Sequence, residues 1–307
     1  MNKPFPVDPV YSGISLAYKN PDYIADFVLP RVKVGKSSFK YRKFSKDQYL
    51  TLTDTLIGRK GVPNQIELGF TEGTESVVSR ALDQVVPLED IEDAPEGYDP
   101  QAKAVEFLTE IILLDREVRT ANMVFNAANY AAGCKTTLTD AMQFNDAAST
   151  PIAVIKNAID NCWMRPNIMV MGREVFSVLS VHPSIVQAIY PISGGNGIVT
   201  RQQLAQLFDI DQILIGNAWV NSAKRGGAPM LQRAWGKHMA LLYINPSATT
   251  NDMPTFGLTA ELDSRFSGFI NQPEVGLKGS NLVRVGERVK ELIIANDLGY
   301  FIKNAVA

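Results

Sequence analysis

The pattern of apolar and polar positions between residues 31 and 80 predicts a long two-stranded hairpin. Phe39 and Tyr41 alternate with polar residues, and the same period of two, which is typical of half-buried strands, recurs in two later stretches. Turn-forming residues separate the two arms. Because a lone hairpin is barely stable in water, this one requires support from elsewhere. The later alternating positions are Leu50, Leu52, Ile66, Leu68 and Phe70, and the turn residues are Gly58, Gly61, Pro63 and Asn64.

The clearest predicted element is a long amphipathic helix over residues 99–132. Asp99 is a suitable N-cap, and Pro100 suits the first helical position. Apolar residues recur every three or four positions from Ala104 to Ala128 and form one stripe. A helix of this length is a rod of roughly 50 Å. We interpret it as a spine that packs against a sheet.

The rest of the chain is predicted to contain an arm, an α/β unit and a returning β segment. Residues 1–30 contain five prolines, which prevent long regular structure, among apolar residues that favour burial. Short helical patterns and buried-strand patterns alternate over residues 149–249, and the period of two returns from Phe256 onward. These patterns together predict an α+β fold.

Composition restricts the class of protein. The 307 residues are 46% apolar and 20% charged, with a formal net charge of −2. These values are typical of a globular protein and exclude a disordered, collagenous or disulfide-scaffold chain. The apolar runs are far too short to span a membrane, and we expect no membrane partner. We expect the two cysteines, Cys134 and Cys162, to be reduced thiols.

Charge is balanced overall but polarised within the first hundred residues. Residues 31–60 carry nine Lys or Arg and two Asp, whereas residues 61–100 carry ten acidic residues and one Arg. Either the two hairpin arms neutralise each other, or a basic surface of one copy meets an acidic surface of the next; we favour the second interpretation. The acids that follow the basic block disfavour nucleic-acid binding. The candidate contact residues are Lys33, Lys36, Lys40, Arg42, Lys43, Lys46, Arg59 and Lys60 on the basic side, and Glu89, Asp90, Glu92 and Asp93 on the acidic side.

Sequence signatures of chemistry are nearly absent. Gly35-Lys36-Ser37 ends like a phosphate loop, but Pro30 stands where the required glycine belongs. Gly195-Asn196-Gly197 begins a dinucleotide fingerprint that lacks its third glycine. His182 and His238 are far apart in sequence and have no metal-ligand spacing. We therefore predict no catalytic residue, no cofactor and no metal site.

Three stretches of sequence, in the order of the predicted elements, resemble a known family. They are residues 20–30 ahead of the hairpin, residues 233–243, which begin Arg233-Ala234-Trp235-Gly236, and the closing segments 283–291 and 298–305. This ordered set resembles the major capsid proteins of tailed bacteriophages with the Hong Kong 97 fold. The resemblance covers essentially the whole chain and rests on the set, because no single motif is diagnostic.

The resemblance implies a division of the chain. The implied parts are an N-terminal arm (1–30), an extended loop or E-loop that reaches over a neighbouring subunit (31–80), a peripheral domain (81–148 with spine helix 99–132, and 250–307) and an axial domain (149–249). The arm and the E-loop would become ordered only on neighbouring copies. Two axial loops would meet at capsomer centres, with Gly194, Gly195, Asn196, Gly197, Lys224 and Arg225 as candidate residues.

The resemblance also implies a structural protein and not an enzyme. Copies of the chain would form hexamers and pentamers of an icosahedral shell around double-stranded phage DNA, assembled in the bacterial cytoplasm. Scaffold, portal and decoration proteins would be further partners, and an arm that starts near Met1 favours a separate scaffold protein. The alternatives are an encapsulin-type nanocompartment shell, which shares the fold, and an α/β enzyme built on residues 149–249.

Overall fold

The computed structural model describes residues 5–43, 50–65, 71–224, 226–250 and 252–307. The helices within these residues are α1 (Pro9–Ala17), α2 (Ala25–Val28), α3 (Leu88–Glu92), α4 (Pro100–Val124), α5 (Pro151–Asp160), α6 (Arg173–Val181), α7 (Pro183–Ile189) and α8 (Arg201–Phe208). The strands are β1 (Arg31–Lys33), β2 (Ser38–Lys43), β3 (Thr71–Ser76), β4 (Val78–Pro87), β5 (Lys135–Thr137), β6 (Ile168–Gly172), β7 (Gln212–Gly216), β8 (Trp219–Asn221), β9 (Leu231–Arg233), β10 (Met239–Leu242), β11 (Gly257–Glu261), β12 (Phe266–Gln272), β13 (Ser280–Ile293) and β14 (Gly299–Lys303).

The spine helix α4 begins where the sequence predicts and ends earlier. The Asp99 side chain caps its first turn. Its last helical residue is Val124, and not a residue near 132, because two side chains beyond this point bond to the helix end. Asn129 Nδ2 and Tyr130 Oη donate to the last two backbone carbonyl oxygens of the helix, at 2.7 and 2.8 Å. The rod is therefore roughly 37 Å long.

The first sheet is built around the long strand β13. This strand pairs antiparallel with β4, β11 and β12, and β1 adds to β11 in parallel. Val283 and Val285 of β13 pack in one apolar cluster with Val105 and Leu108 of α4. The period-two pattern at the end of the chain is thus confirmed as strand, and the spine helix lies against a sheet as expected.

The second sheet has the strand order β5-β14-β10-β6-β7 and combines parallel and antiparallel pairs. Every residue of β6 and β10 is buried, and helices α5 to α8 supply apolar side chains to the surrounding core. The division that the resemblance implies puts residues 135–137 and 299–303 in the peripheral domain. In the structure they belong to this second sheet, because β14 pairs with β10 and β5 pairs with β14.

The N-terminal arm, over its described residues 5–30, is docked on the body of its own chain. The hydroxyl groups of Ser15 and Thr109 are buried and hydrogen-bonded at 2.9 Å, which ties α1 to α4. Gly268 of β12 lets the arm approach closely, since a Cβ at this position would lie 2.0 Å from the carbonyl oxygen of Pro6. The expectation that the arm becomes ordered only on neighbouring copies is wrong for these residues, because its apolar and polar groups find partners within the chain.

The predicted hairpin is confirmed at its base and at its turn. Strands β2 and β3 pair antiparallel, and the backbone N–H of Gly61 donates to the carbonyl of Gly58 at 2.8 Å. The strands are shorter than predicted, since Leu50 and Leu52 lie outside them. The predicted strand positions Ile66, Leu68 and Phe70 lie outside the described residues.

Candidate assembly surfaces

The hairpin rises from a root that is fixed to the body of the molecule. Tyr41 is 6% exposed and packs on Gly73 of the opposite strand, where a Cβ would lie 2.5 Å from the ring. The backbone N–H of Arg42 donates to the carbonyl of Thr250 at 2.9 Å. Val34, just before β2, belongs to the same core cluster as Tyr41. The hairpin therefore leaves the body from a fixed root.

The end of the hairpin, over residues 50–65, exposes large apolar side chains. Leu52 is 97% exposed, Leu56 is 85% exposed and Val62 is 83% exposed. Leu50 is also exposed. Grouped apolar exposure of this kind marks a surface that contacts a partner. We call residues 50–65 the hairpin tip.

The basic residues of the hairpin mostly have no acidic partner within the described residues. Lys40 has such a partner, with its Nζ 2.8 Å from Glu72 on the opposite strand, and Arg31 at the start of β1 pairs with Asp26, Glu261 and Glu287. Lys43 lies over the Tyr41 ring, with 5.8 Å between its Nζ and the ring centroid. Lys46 lies outside the described residues. Exposed basic residues without an ion pair in the described part of the chain are Lys33, Lys36, Arg59 and Lys60.

Two acids of the acidic block pair with cations from the distant strand β13. The carboxylate of Asp83 lies 2.6 Å from Arg284, and that of Glu75 lies 3.3 Å from Lys290. Asp83 lies directly opposite Arg284 because β4 pairs with β13. On and after α3, Glu92 pairs with Lys278, whereas no ion pair is found for Glu89, Asp90 and Asp93 among the described residues. Neutralisation within the hairpin is shown for Lys40 and Glu72.

The first predicted capsomer-centre loop follows α7 and is rich in glycine. Gly194, Gly195 and Gly197 have positive φ values of 64°, 85° and 154°, a conformation that suits glycine. The loop lies against α7, where a Cβ on Gly195 would contact Pro183 at 3.4 Å. Its apolar flanks point outward, with Ile192 fully exposed and Ile198 73% exposed. Asn196 is also exposed.

The second predicted loop belongs to another element. Lys224 is exposed beyond the two-stranded ribbon formed by β8 and β9, and Arg225 lies outside the described residues. The ribbon carries an apolar surface that the sequence analysis did not identify, because its strands are only three residues long. Arg233 lies 3.8 Å from the centroid of the exposed Trp219 ring, beside the exposed Leu231.

A buried network of charges fixes the arm and was not predicted from sequence. Arg116 of α4 is 1% exposed and pairs with Asp26. Arg31 pairs with Glu287 at 3.0 Å, and Arg265 lies 3.4 Å from the same carboxylate. Burial would raise the pKa of Glu287, but attraction by Arg31 and Arg265 outweighs it, so the pKa lies below its usual value. Glu287 therefore stays ionised and retains the two arginines.

The hydrogen-bond partners of His182 argue against a serine–histidine catalytic pair. Its Nε2 lies 3.2 Å from Ser149 Oγ and 3.1 Å from the carbonyl oxygen of Asp146. However, its Nδ1 accepts the backbone N–H of Ser184, so the ring proton is on Nε2. A base toward Ser149 would need a free Nε2 lone pair. His182 instead caps α7 and holds the loop before α5.

The described residues contain neither a candidate metal site nor a helix that could span a membrane. No group of three or more His, Cys, Asp or Glu side chains there could hold a metal ion. No helix in that part of the chain is both long enough and apolar enough to cross a membrane.

Two curated relatives bear the name major capsid protein. The one from Pseudomonas phage JBD67 is 46% identical over 306 residues, and the match spans 100% of this chain and 99% of the relative. The one from Burkholderia phage BcepMu is 27% identical, with 96% and 95% covered. No family model matches the chain.

Solved structures share the fold at low sequence identity. A phage-related protein from Bordetella bronchiseptica RB50 matches with a TM-score of 0.79 at 22% identity, covering 99% of this chain and 98% of that one. The capsid of cyanophage P-SCSP1u gives a TM-score of 0.59 at 9% identity, with 94% and 89% covered. An encapsulin complex from Synechococcus elongatus gives 0.54 at 10% identity, with 99% and 91% covered. Identities this low show the fold alone.

The match to a phage capsid protein extends over the whole chain and is close to half identical. The fold is the Hong Kong 97 type that phage capsid proteins share with encapsulins. The exposed hairpin tip and its fixed root agree with a subunit that contacts other copies. The chain belongs to the family of phage major capsid proteins.

Proposed function

We propose that copies of this chain assemble as hexamers and pentamers into an icosahedral shell that encloses double-stranded phage DNA. Assembly would take place in the cytoplasm of the bacterial host, and scaffold, portal and decoration proteins would be further partners. The relatives named major capsid protein support the shell. The formal net charge of −2 suits a wall that contains DNA without binding it tightly.

The hairpin tip is the single observation that carries this proposal. Its leucines are exposed in the subunit, although burying one such side chain contributes about 1.5–3 kcal/mol. A neighbouring copy that covers the tip would recover this free energy at every contact. Residues 31–80 would then be the E-loop, residues 1–30 the arm, and residues 149–249 the axial domain.

Charge would set the register of the E-loop on its neighbour. Lys36, Arg59 and Lys60 are exposed cations of the hairpin, and Glu89 and Asp90 are acids on α3 without an ion pair in the described part of the chain. Opposite charges on two copies steer association and fix orientation more than they add affinity. The E-loop cations of one copy would therefore face α3 of the next.

The glycine loop after α7 would lie at the capsomer centre. Its outward side chains, Ile192 and Ile198, are apolar and exposed, which favours contact with equivalent loops of other copies. Lys224 would lie near the same centre only if the β8–β9 ribbon points toward it. Comparing the assembly of an Ile192 variant with that of a Lys224 variant therefore shows which of the two loops lies at the capsomer centre.

The test replaces the apolar surface of the tip without touching the root. The double variant Leu52→Ser and Leu56→Ser should fold as the wild type does, because both side chains are almost fully exposed in the subunit. We expect it to remain as free subunits or capsomers in sedimentation and electron microscopy, whereas the wild type forms megadalton particles.

The matched control is Leu52→Met with Leu56→Met, which keeps both positions apolar and should still assemble. Normal shells from the serine variant would contradict the role given to the tip. A wild-type protein that never forms particles, alone or with its phage partners, would contradict the shell itself.

The encapsulin alternative is the weaker one. The encapsulin likeness is at 10% identity and shows the fold alone, whereas the capsid relative is 46% identical over the full chain. The contents of particles isolated from infected cells distinguish the two, because a capsid encloses DNA and an encapsulin encloses a protein cargo.

A further inference from the structure

The carboxylate of Glu117, on the spine helix, is fully buried and joins three distant segments of the chain. Its Oε1 accepts hydrogen bonds from the backbone N–H of Ile24, at 2.9 Å, and from the indole N–H of Trp235, at 2.6 Å. Its Oε2 accepts the backbone N–H of Ala25 at 2.8 Å. One side chain therefore holds both the docked arm and the segment that leads into β10.

The indole of Trp235 is held tightly against the second sheet. It is 1% exposed and lies on Gly216, the last residue of β7, where a Cβ would come within 2.1 Å of the ring. At the end of β6, a Cβ on Gly172 would lie 2.0 Å from the carbonyl oxygen of Gly236. These close approaches leave the indole little freedom. A shift of the second sheet relative to α4 would thus carry the indole N–H away from the Glu117 carboxylate.

We propose that Glu117 and Trp235 are positioning residues that couple docking of the arm to the placement of the second sheet on the spine helix. Oε1 accepts one hydrogen bond from Ile24 of the arm and one from Trp235. The loss of either donor therefore changes the position of the carboxylate relative to the other donor. Such coupling is reciprocal by thermodynamic linkage. The consequence for shells rests on the proposed function: a restricted placement of the two parts limits the range of shapes that subunits adopt, and therefore the range of shell diameters.

The decisive measurement is hydrogen exchange at the Ala25 amide, which bonds to Oε2 and not to the oxygen shared with Trp235. Trp235→Phe removes the indole donor and retains an aromatic ring. Exchange is compared with that of the Phe301 amide, which donates to the Cys134 carbonyl in the second sheet and reports on its stability. In Trp235→Phe, we expect the ratio of the Ala25 exchange rate to the Phe301 exchange rate to rise roughly tenfold. This change is within the usual range of coupling between sites.

The control is Trp219→Phe, the same chemical change at an exposed position of the β8–β9 ribbon, which should leave the ratio unaltered. The reciprocal variant is Glu117→Gln, whose amide group cannot accept all three donors. We expect the Trp235 indole N–H resonance to move while that of Trp219 stays in place. An unchanged exchange ratio in Trp235→Phe would show that the arm and the sheet are held independently.

Particle diameters test the consequence for shells. We expect the two variants at the junction to give a broader distribution of diameters in electron microscopy than the wild type and Trp219→Phe. Uniform diameters despite a raised exchange ratio would overturn this consequence. If the wild type forms no particles, the proposed function fails, and the exchange ratio still decides whether the coupling exists.

Discussion

Single glycine positions decide how closely segments of this chain approach one another. At Gly73, the Tyr41 ring occupies the space where a side chain would begin, and at Gly268 the arm backbone does. Gly216 does the same for the indole of Trp235. None of these glycines belongs to a recognisable sequence motif. Their role is visible only once the segments opposite them are in place.

Gly73→Ala should loosen the root of the hairpin. The added Cβ would lie 2.5 Å from the Tyr41 ring, so the ring or the strand must move, and overpacking of this kind costs about 1–3 kcal/mol. We expect a lower thermal midpoint and faster proteolysis within residues 35–77. Gly58→Ala in the same hairpin meets open space, and it should change the free energy of unfolding by less than about 0.5 kcal/mol. Equal effects of both substitutions would argue against the packing of Tyr41 on Gly73.

At the scale of the elements, the ion pairs of the two charge blocks do not follow the order of the blocks in the sequence. Glu75 on β3 pairs with Lys290 and Asp83 on β4 pairs with Arg284, and both cations lie on β13, outside the polarised first hundred residues. Strand pairing brings these groups together from about two hundred residues apart. Of the basic block, Lys40 pairs within the hairpin, while Arg59 and Lys60 stay exposed at the tip.

Charge reversal at the tip distinguishes the two interpretations of these blocks. Arg59→Glu with Lys60→Glu should slow assembly at low ionic strength, because like charges would then face α3 of the neighbour. The deficit should shrink as salt screens the repulsion. Lys40→Gln removes only the exposed pair with Glu72 and serves as the control. Equal light-scattering kinetics for all three proteins would favour charges that are balanced within one chain.

At the scale of the whole molecule, the subunit contains a docked arm and a projecting hairpin. The arm contributes the pair of Asp26 with the buried Arg116, and β1, which directly follows the arm, adds to the first sheet. Its dependence on neighbours is therefore smaller than the sequence suggested. The projecting tip still depends on neighbouring copies for burial, because Leu52 and Leu56 are exposed in the subunit.

Hydrogen exchange on the assembly-defective serine variant should separate these two parts. The Asp8 amide, bonded to the Ser267 carbonyl at 2.9 Å, and the Ile24 amide, bonded to Glu117 Oε1 at 2.9 Å, should be protected in the free subunit. Amides of residues 50–65 should exchange rapidly there and gain protection in wild-type shells. An unprotected arm in the free subunit would restore the expectation that neighbours order it.

The sequence determined those elements whose pattern is local. The apolar spacing and the Asp99 cap predicted α4, apolar spacing predicted short helices within residues 149–249, and the alternation predicted β13, because helix and strand periods depend on near neighbours along the chain. The order of elements was sufficient to identify the family. The early end of α4 was not predicted, since the side chains that cap it, Asn129 and Tyr130, act by bonding back to the helix.

The contacts between segments that are distant in the sequence are visible only in the tertiary structure. Arg116 and Glu117 are charged residues within a helix, and the sequence treats such positions as solvent-facing. They are buried because the arm and the second sheet bring Asp26 and Trp235 to them. The strands β5 and β14 joined the second sheet for the same reason. Such contacts depend on chain paths that no local period encodes, so they appear only when the whole fold has formed.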